Sequence, residues 1–248
     1  MTARRRLAVL VPPSEGKAPL GGGRPWDPAS GPFGRALGDR RRAVAEALAA
    51  IGGGDAKLLG VRGPELDRAQ LVNRHLLGAP TRPAWRRFTG VVWDHLDVAS
   101  LDRATRARAR SSILVVTALT GVSALTDPIP DFRLKLSVRL GDLGRLDRWW
   151  RDDLSAALNR RLRGRLVIDL LPDEHAAAWE PTPDRYDLRR VRLVDQNGRV
   201  AGHTGKAAKG RLVRALLEAD PDDPRSVDRV LRRFEHAGVR AEVTIPAT

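Results

Sequence analysis

Four lysines stand out in a chain that otherwise uses arginine as its basic residue. The 248 residues contain 39 arginines and five lysines. A lysine ammonium is compact and can lose its proton when it is buried, which an arginine does not do. Four of the five lysines lie in short segments that also carry acidic or hydroxyl side chains: Lys17, Lys135, Lys206 and Lys209. We therefore expect these four to serve chemistry or anion binding, with chance clustering as the alternative.

The first of these segments follows an apolar stretch, Leu7–Val11, which predicts a buried strand. Ser14, Glu15 and Lys17 come directly after that strand, behind two prolines. A loop at the end of a buried strand is a usual place for ligand-binding groups. An ordinary polar loop would give the same pattern, so both interpretations stay open.

The second segment carries two cations in alternation. Arg133 and Lys135 fall on one face of an extended segment, with Leu134 on the other. Two cations on one face repel each other unless an anion or water lies beside them. The pattern therefore fits either an anionic ligand or a solvent-facing edge strand.

Three acidic or imidazole groups follow a second apolar stretch, Leu166–Leu171. Asp173, Glu174 and His175 can supply a general base or metal ligands. Since the sequence has no second cluster at ligand spacing, we expect no metal and no cofactor. We favour a structural or acid–base role that balances the lysines.

The fourth segment opens a predicted helix. His203, Thr204, Lys206 and Lys209 lie at its start, where free backbone N–H groups favour anions. A P-loop ATPase is excluded, because Val200 and Ala207 occupy the positions of its first glycine and its hydroxyl. Phosphate or carboxylate capture and a plain basic helix start both remain possible here.

Hydrophobic periodicity and turn residues then predict the elements that position these groups. The predicted helices are Phe33–Ile51, Glu65–Leu77, Leu101–Arg110, Leu143–Leu162, Lys206–Leu217 and, after Ser226 as N-cap, Val227–His236. The predicted strands are Leu7–Val11, Phe88–Trp93, Ile113–Thr117, Leu166–Leu171, Arg190–Val194, Arg199–His203 and Val239–Ile245. Phe132–Val138 is expected to be extended and Leu119–Leu125 to form a short helical turn. Asn197-Gly198 predicts a hairpin between two of the strands. We expect an α+β fold, one domain over residues 1–248 with a mixed sheet surrounded by helices.

Composition limits the classes of protein to which the chain can belong. Hydrophobic residues make up 42% and charged residues 30%, which is typical of a globular protein. The chain has no cysteine, so disulfides, thiolate metal sites and cysteine nucleophiles are excluded. We expect no membrane contact and a cytoplasmic location. A net charge of +14 favours polyanions or small anionic ligands, although an arginine-rich composition is also typical of GC-rich genomes.

Taken in order, the segments resemble the YaaA family of peroxide-stress proteins. The resemblance rests on six pieces: Pro12–Lys17 with Gly21-Gly22; Phe88–Trp93; Leu119–Val122 with Asp127 and Phe132–Leu134; Leu146–Trp150 with Leu158-Asn159; Val167–Glu174; and Asp195–Gly198 with Lys206 and Lys209-Gly210. Phe132 stands where the family commonly has tyrosine, and Asp169 and Pro172 replace its Asn and Ser. Residues 123–126 lack the Arg-Pro that usually precedes Asp127. These departures indicate a divergent, actinobacterial-type branch.

The resemblance implies a mixed α/β fold with a positively charged cleft and a helix-hairpin-helix-like element, a pattern that Thr117–Leu125 weakly matches. It also implies binding of double-stranded DNA and a role in limiting iron-driven damage. Our leading hypothesis is such a stress protein, with arginines of the helices Leu101–Arg110 and Leu143–Leu162 on the phosphates. The alternative is an enzyme or small-ligand protein that acts on an anionic substrate, and protein partners are not predicted. The candidate catalytic residues are Glu15, Lys17, Asp173, Glu174 and Lys206. The candidate anion- or DNA-binding residues are Ser14, Arg133, Lys135, His203, Thr204 and Lys209.

We also expect the four lysines to lie close together in the folded protein. If the strand ends gather at one edge of a single sheet, the four lysines converge on a shared cleft. Glu15, Asp173 and Glu174 are the carboxylates expected to balance them.

Overall fold

The structure is a computed structural model that describes residues 5–19, 21–220 and 222–246. The ends of the predicted domain, residues 1–4 and 247–248, lie outside this part. The strands are β1 (Leu7–Val11), β2 (Thr81–Pro83), β3 (Ile113–Thr117), β4 (Gly121–Ala124), β5 (Pro128–Pro130), β6 (Leu166–Asp169), β7 (Asp187–Val194), β8 (Glu235–His236) and β9 (Val239–Thr244). The helices are α1 (Gly34–Ala50), α2 (Ala56–Leu59), α3 (Pro64–Arg74), α4 (Ala84–Arg87), α5 (Val91–Leu96), α6 (Arg103–Ser112), α7 (Leu146–Leu162), α8 (Asp173–Ala176), α9 (His203–Glu218) and α10 (Pro224–Arg233). Short 3-10 turns cover Val98–Ser100, Gly141–Leu143 and Pro183–Arg185.

Seven of these strands form one mixed sheet in the order β4-β3-β1-β6-β7-β9-β8. The four central strands, β3, β1, β6 and β7, are parallel, while β4 and β9 are antiparallel to their inner neighbours. Every residue of β1, β3 and β6 is buried. Strands buried along their whole length need cover on both faces of the sheet. The α+β fold with a mixed sheet and surrounding helices is therefore confirmed.

The helices that supply this cover pack in two groups. One group contains α1, α3 and α7, and the other contains α5, α6, α9 and α10. The contact between α5 and α9 is close enough to require glycine at Gly210, because a Cβ there would lie 2.2 Å from the carbonyl oxygen of Val92. No helix in the described ranges is both long and apolar enough to cross a bilayer.

Two sequence-based predictions in the first half of the chain are wrong. Phe88–Trp93 is not a strand: Phe88 forms a single bridge with Lys17, and α5 begins at Val91. Leu119–Leu125 is not a helical turn, because Gly121–Ala124 forms β4, which pairs with β3. The turn and second strand of the β3–β4 hairpin therefore occupy Thr117–Leu125, the segment that matches the helix-hairpin-helix pattern.

Local contacts explain why this segment is a β-hairpin. Gly121 has a φ of +66°, and a Cβ at this position would come within 2.9 Å of the Trp150 ring. The Thr120 hydroxyl lies 2.8 Å from the hydroxyls of both Thr117 and Ser123, and all three side chains are buried. The turn therefore satisfies its own polar groups inside the core.

Three further elements differ from their predicted form. The predicted hairpin at Asn197-Gly198 is present, with an antiparallel bridge between Val194 and Val200. The backbone N–H groups of Asp195 and Ala201 donate to the carbonyl oxygens of Arg199 (2.8 Å) and Leu193 (2.9 Å), but residues 199–203 form no strand. Residues 132–138 form no ladder and turn at residues 136–137. The backbone N–H groups of Leu146 and Asp147 donate to the carbonyl oxygens of Val138 (3.0 Å) and Leu136 (2.9 Å). Helix α10 begins at Pro224, and Asp223 rather than Ser226 caps it by accepting a hydrogen bond from the backbone N–H of Arg225.

The β4 edge of the sheet is closed by side chains. The buried Arg41 guanidinium donates to the carbonyl oxygens of Thr120 (2.9 Å) and Val122 (2.8 Å). The Asp127 carboxylate accepts a hydrogen bond from the backbone N–H of Ala124 at 2.9 Å. These contacts occupy backbone groups that an edge strand would otherwise present to solvent.

Candidate functional site

A cleft lies where the connections of two neighbouring central strands diverge. In the strand order, β1 is followed by its neighbour β3 toward the β4 edge, and β6 is followed by its neighbour β7 toward the β8 edge. Such a switch point leaves a crevice beyond the carboxyl ends of the strands, the usual ligand position in parallel sheets. A cavity of about 620 Å³ opens there, lined by Pro12–Lys17 after β1 and Leu170–Ala176 after β6. We call it the switch-point cleft.

The predicted convergence of the four lysines is confirmed. Lys17, Lys135, Lys206 and Lys209 all line the switch-point cleft, whereas the exposed Lys57 does not. The other predicted site residues that line it are Ser14, Glu15, Arg133, Asp173, Glu174 and His203. Thr204 is exposed at the start of α9 and does not line the cavity.

Lys17 lies in an unusual setting for a lysine. Its Nζ atom is 4.2 Å from the centre of the Phe132 ring and 5.9 Å from that of Phe88. It donates to the backbone carbonyl oxygens of Ser14 (3.0 Å) and Glu15 (3.4 Å). Burial lowers the pKa of Lys17 to about 7, with partial opposition from the Asp131 carboxylate. A substantial fraction of the amine is therefore neutral near pH 7.

Glu15 joins the two cations of the second segment. Its carboxylate lies 3.0 Å from Arg133 Nη2 and 3.6 Å from Lys135 Nζ. Arg133 also contacts Glu65 at 3.4 Å. Burial would raise the pKa of Glu15, but Lys135 and Arg133 outweigh it and lower the pKa below its ordinary value. The Glu15 carboxylate is thus ionised and balances part of the charge of these two cations.

A buried amide fixes Arg133 in place of a strand ladder. Asn73 has no exposed surface, and its Oδ1 accepts a hydrogen bond from the backbone N–H of Arg133 at 3.0 Å. Its Nδ2 donates to the carbonyl oxygens of Arg133 (2.8 Å) and Gly53 (2.9 Å). Asn73 thus fixes the backbone of Arg133, while the start of α7 holds Leu136 and Val138.

The end of β6 forms a second polar cluster. Asp169 is 1% exposed, and its carboxylate accepts hydrogen bonds from the backbone N–H of Leu171 (3.0 Å) and from Arg190 Nε (3.1 Å). Lys209 Nζ donates to the carbonyl oxygen of Leu170 at 2.5 Å. Burial lowers the pKa of Lys209 to about 8, although Asp169 favours its charged form. The cleft therefore holds two lysines whose amines are easier to deprotonate than usual.

His175 lines the cleft as a neutral ring. It is 7% exposed, and burial lowers its pKa to about 4, with a further contribution from Lys209. Its Nδ1 lies 3.3 Å from a Glu174 carboxylate oxygen without the alignment of a hydrogen bond. Among the described residues this nitrogen has no hydrogen-bond partner.

The start of α9 completes the wall of the cleft. Gly202, His203, Gly205 and Lys206 line the cavity, and no side chain caps the first turn of the helix. Free N–H groups and a positive helix end favour an anion at this point.

Two lining residues, Arg190 and Arg192, were missed by the sequence analysis. Arg190–Val194 leads into the predicted turn, but β7 also runs parallel to β6, so its Arg190 and Arg192 lie beside the carboxyl end of that strand. The pairing of Asp169 with Arg190 in that register was the contact that the sequence did not specify. The described residues contain no group of three or more His, Asp or Glu side chains placed to hold a metal ion.

Comparison with known proteins agrees with the predicted resemblance. A family model described as peroxide stress protein YaaA matches residues 8–240. A UPF0246 protein of Streptomyces coelicolor is 37% identical over 248 residues, covering 97% of this chain and 94% of the relative. A UPF0246 protein of Corynebacterium glutamicum is 31% identical over 242 residues, covering 95% of each chain. The chain belongs to the peroxide stress protein YaaA family.

Proposed function

We propose that the protein serves the peroxide-stress response by binding a small anionic molecule in the switch-point cleft. The observation that carries this proposal is the convergence of four of the five lysines on one cavity, from segments up to 192 residues apart in sequence. A chain that uses arginine almost everywhere else places its lysines there.

The charge and size of the cleft support a small ligand. Seven lysines and arginines line the cavity against three carboxylates. The basic residues are Lys17, Arg133, Lys135, Arg190, Arg192, Lys206 and Lys209, and the acidic ones are Glu15, Asp173 and Glu174. Its volume of about 620 Å³ falls in the range of small-molecule sites, roughly 300–1,000 Å³.

Titration calorimetry with pyrophosphate tests the proposal. The exposed Lys206 at the start of α9 and the exposed Lys57 on α2 offer a matched pair, since Lys206→Gln and Lys57→Gln remove the same charge. We expect saturable binding that weakens roughly tenfold in Lys206→Gln, about 1.4 kcal/mol, and less than twofold in Lys57→Gln. Equal weakening in both variants would indicate diffuse electrostatic attraction and contradict a site in the cleft.

Binding of double-stranded DNA is the second candidate, and the net charge of +14 favours it. In this candidate the protein binds phosphates without strong sequence preference and so limits iron-driven damage to the duplex. Some of the arginines expected to contact DNA are already engaged within the fold. Arg106 and Arg108 of α6 donate to backbone carbonyls, as does Arg151 of α7. The exposed arginines of the two helices are Arg103, Arg110, Arg148, Arg151, Arg160 and Arg161.

A duplex titration at low and moderate salt distinguishes the two candidates. Phosphate contacts by the arginines of α7 predict a steep loss of affinity with salt and a smaller slope when Arg160 and Arg161 are both changed to Gln. Weak binding at low salt, or a flat salt slope, would count against DNA. If Lys206→Gln loses duplex binding and the Arg160 and Arg161 double variant does not, the duplex would contact the switch-point cleft instead of α7.

A further inference from the structure

We propose that Lys17 Nζ forms an imine with an aldehyde or ketone that carries a separate anionic group, so that the cleft holds its ligand covalently. This inference rests on the proposed function and names the class of ligand for the same cavity. In this proposal the carbonyl carbon of the ligand bonds to Lys17, and the anionic group of the ligand binds to the surrounding cations.

The surroundings of Lys17 differ from those of an ion-paired lysine. The carboxylate of Glu15 turns to Arg133 and Lys135, and Lys17 Nζ donates to the backbone carbonyls of Glu15 at 3.4 Å and Ser14 at 3.0 Å. The Asp131 carboxylate favours the charged form of Lys17 but forms no ion pair with it among the described residues. The buried rings of Phe132 and Phe88 form the rest of its wall. Desolvation of an amine among apolar groups and other cations is a general way to make it nucleophilic.

The other cleft lysines are less suited to this role. Lys135 pairs with Glu15, and Lys206 is exposed at the start of α9. Lys209 is held at 2.5 Å on the carbonyl oxygen of Leu170 and faces the Asp169 carboxylate. Lys135 and Lys206 are instead placed to bind the anionic group of the ligand.

The amine of Lys17 lies close to the cations that would bind the anionic group of the ligand. Glu15 touches Lys17 through its backbone and Arg133 and Lys135 through its carboxylate, so one residue spans both elements. A ligand with a carbonyl and an anionic group a few bonds apart would replace the Glu15 carboxylate on the cations. Its carbonyl carbon would then lie on the Lys17 side.

The step balances without an oxidant or a reductant. The nitrogen lone pair of neutral Lys17 attacks the carbonyl carbon and forms a carbinolamine. The carbonyl oxygen then leaves as water with two protons that the amine nitrogen has lost, and a C=N bond remains. Addition of water reverses the sequence and releases the carbonyl compound.

Reductive trapping in the full-length protein tests the assignment. Pyridoxal 5′-phosphate is the probe, because it carries an aldehyde and a phosphate, and cyanoborohydride reduces any imine to a stable adduct. With five lysines in the chain, peptide mass spectrometry assigns every adduct. We expect Lys17 to be labelled at least tenfold faster than the exposed Lys57, and labelling at position 17 to disappear in Lys17→Arg and Lys17→Met.

Several outcomes overturn the inference. One is that Lys57 or Lys206 is labelled as fast as Lys17. Another is that Lys209 is labelled before Lys17. Calorimetry with pyridoxine 5′-phosphate, which has a hydroxymethyl group in place of the aldehyde, reports the proposed function separately. Saturable binding of this analogue with Lys17 unlabelled by the aldehyde would leave the anion site standing and remove the imine. Absence of saturable binding of the analogue would remove the proposed function itself.

Discussion

Replacing Lys17 with methionine should stabilise the protein, most of all at neutral and acidic pH. Methionine keeps an unbranched side chain of similar length beside Phe132 and removes the charge that burial penalises. The folded-state pKa of Lys17 lies below its unfolded value, so the unfolded state binds the proton more tightly between the two. The wild-type protein therefore gains stability as the pH rises through this window, and Lys17→Met lacks that gain.

The size of the effect follows from the two pKa values. With 10.5 in the unfolded chain and about 7 in the folded protein, the unfavourable contribution is roughly 4 kcal/mol at pH 7 and about 1.5 kcal/mol at pH 9.5. Partial exposure of the Lys17 side chain reduces the unfavourable contribution at each pH. We therefore expect the two contributions to differ by about 2 kcal/mol.

Urea unfolding of both proteins at pH 7 and pH 9.5 measures this difference. We expect the stability advantage of Lys17→Met to shrink by about 2 kcal/mol over that range. Lys57→Met, at an exposed position, is the matched control and should show no such trend. A difference between wild type and Lys17→Met that stays constant with pH would refute the burial argument and weaken the case for a neutral amine.

Three further predictions concern other parts of the fold. Gly121→Ala should lower the free energy of unfolding by roughly 2–4 kcal/mol, because it adds a Cβ against Trp150 at a φ of +66°. Gly52→Ala, at a φ of +67° in open space, should cost only about 1 kcal/mol, and equal losses by urea unfolding would contradict the packing argument. Arg41→Met should cost about 3 kcal/mol, since it strips donors from buried carbonyls, whereas the exposed Arg42→Met should change stability by less than about 0.5 kcal/mol. Because the pKa of His175 is lowered to about 4, its ring should stay neutral in NMR titrations down to about pH 5. The free energy of unfolding should decrease as the pH drops from 6.5 to 4, since the unfolded state binds the proton more tightly. A titration midpoint of His175 near pH 6.5 would contradict its burial.

The buried strands and the shared position of the lysines could be predicted from the sequence, because both depend on short, continuous patterns. The apolar stretches that became β1, β3 and β6 are buried along their whole length, and polar loops follow at the ends of β1 and β6. Parallel strands bring those loops to the same end of the sheet, so Lys17 and Glu174 line one cavity.

Contacts between distant residues decided what the sequence analysis missed. The segment containing Gly121 looked like a helical turn, and only the packing of Trp150 and the pairing with β3 make it a strand. The Asn-Gly turn was predicted correctly, but β7 also pairs with β6 and β9, which lie further away in the sequence. Asn73 is a single buried amide, and its role in holding Arg133 leaves no pattern in the sequence.

The closed β4 edge has a consequence for self-association. Arg41 and Asp127 occupy the backbone groups that an incoming strand would need. At the opposite end of the sheet, β8 covers only Val239 and Arg240 of β9, which leaves Ala241–Thr244 beyond the last ladder pair in the described chain. A molecule with one accessible edge can join only one other molecule by strand addition, because the union uses up both edges. Edge-to-edge growth of this sheet therefore ends at a two-fold pair and cannot propagate into a filament.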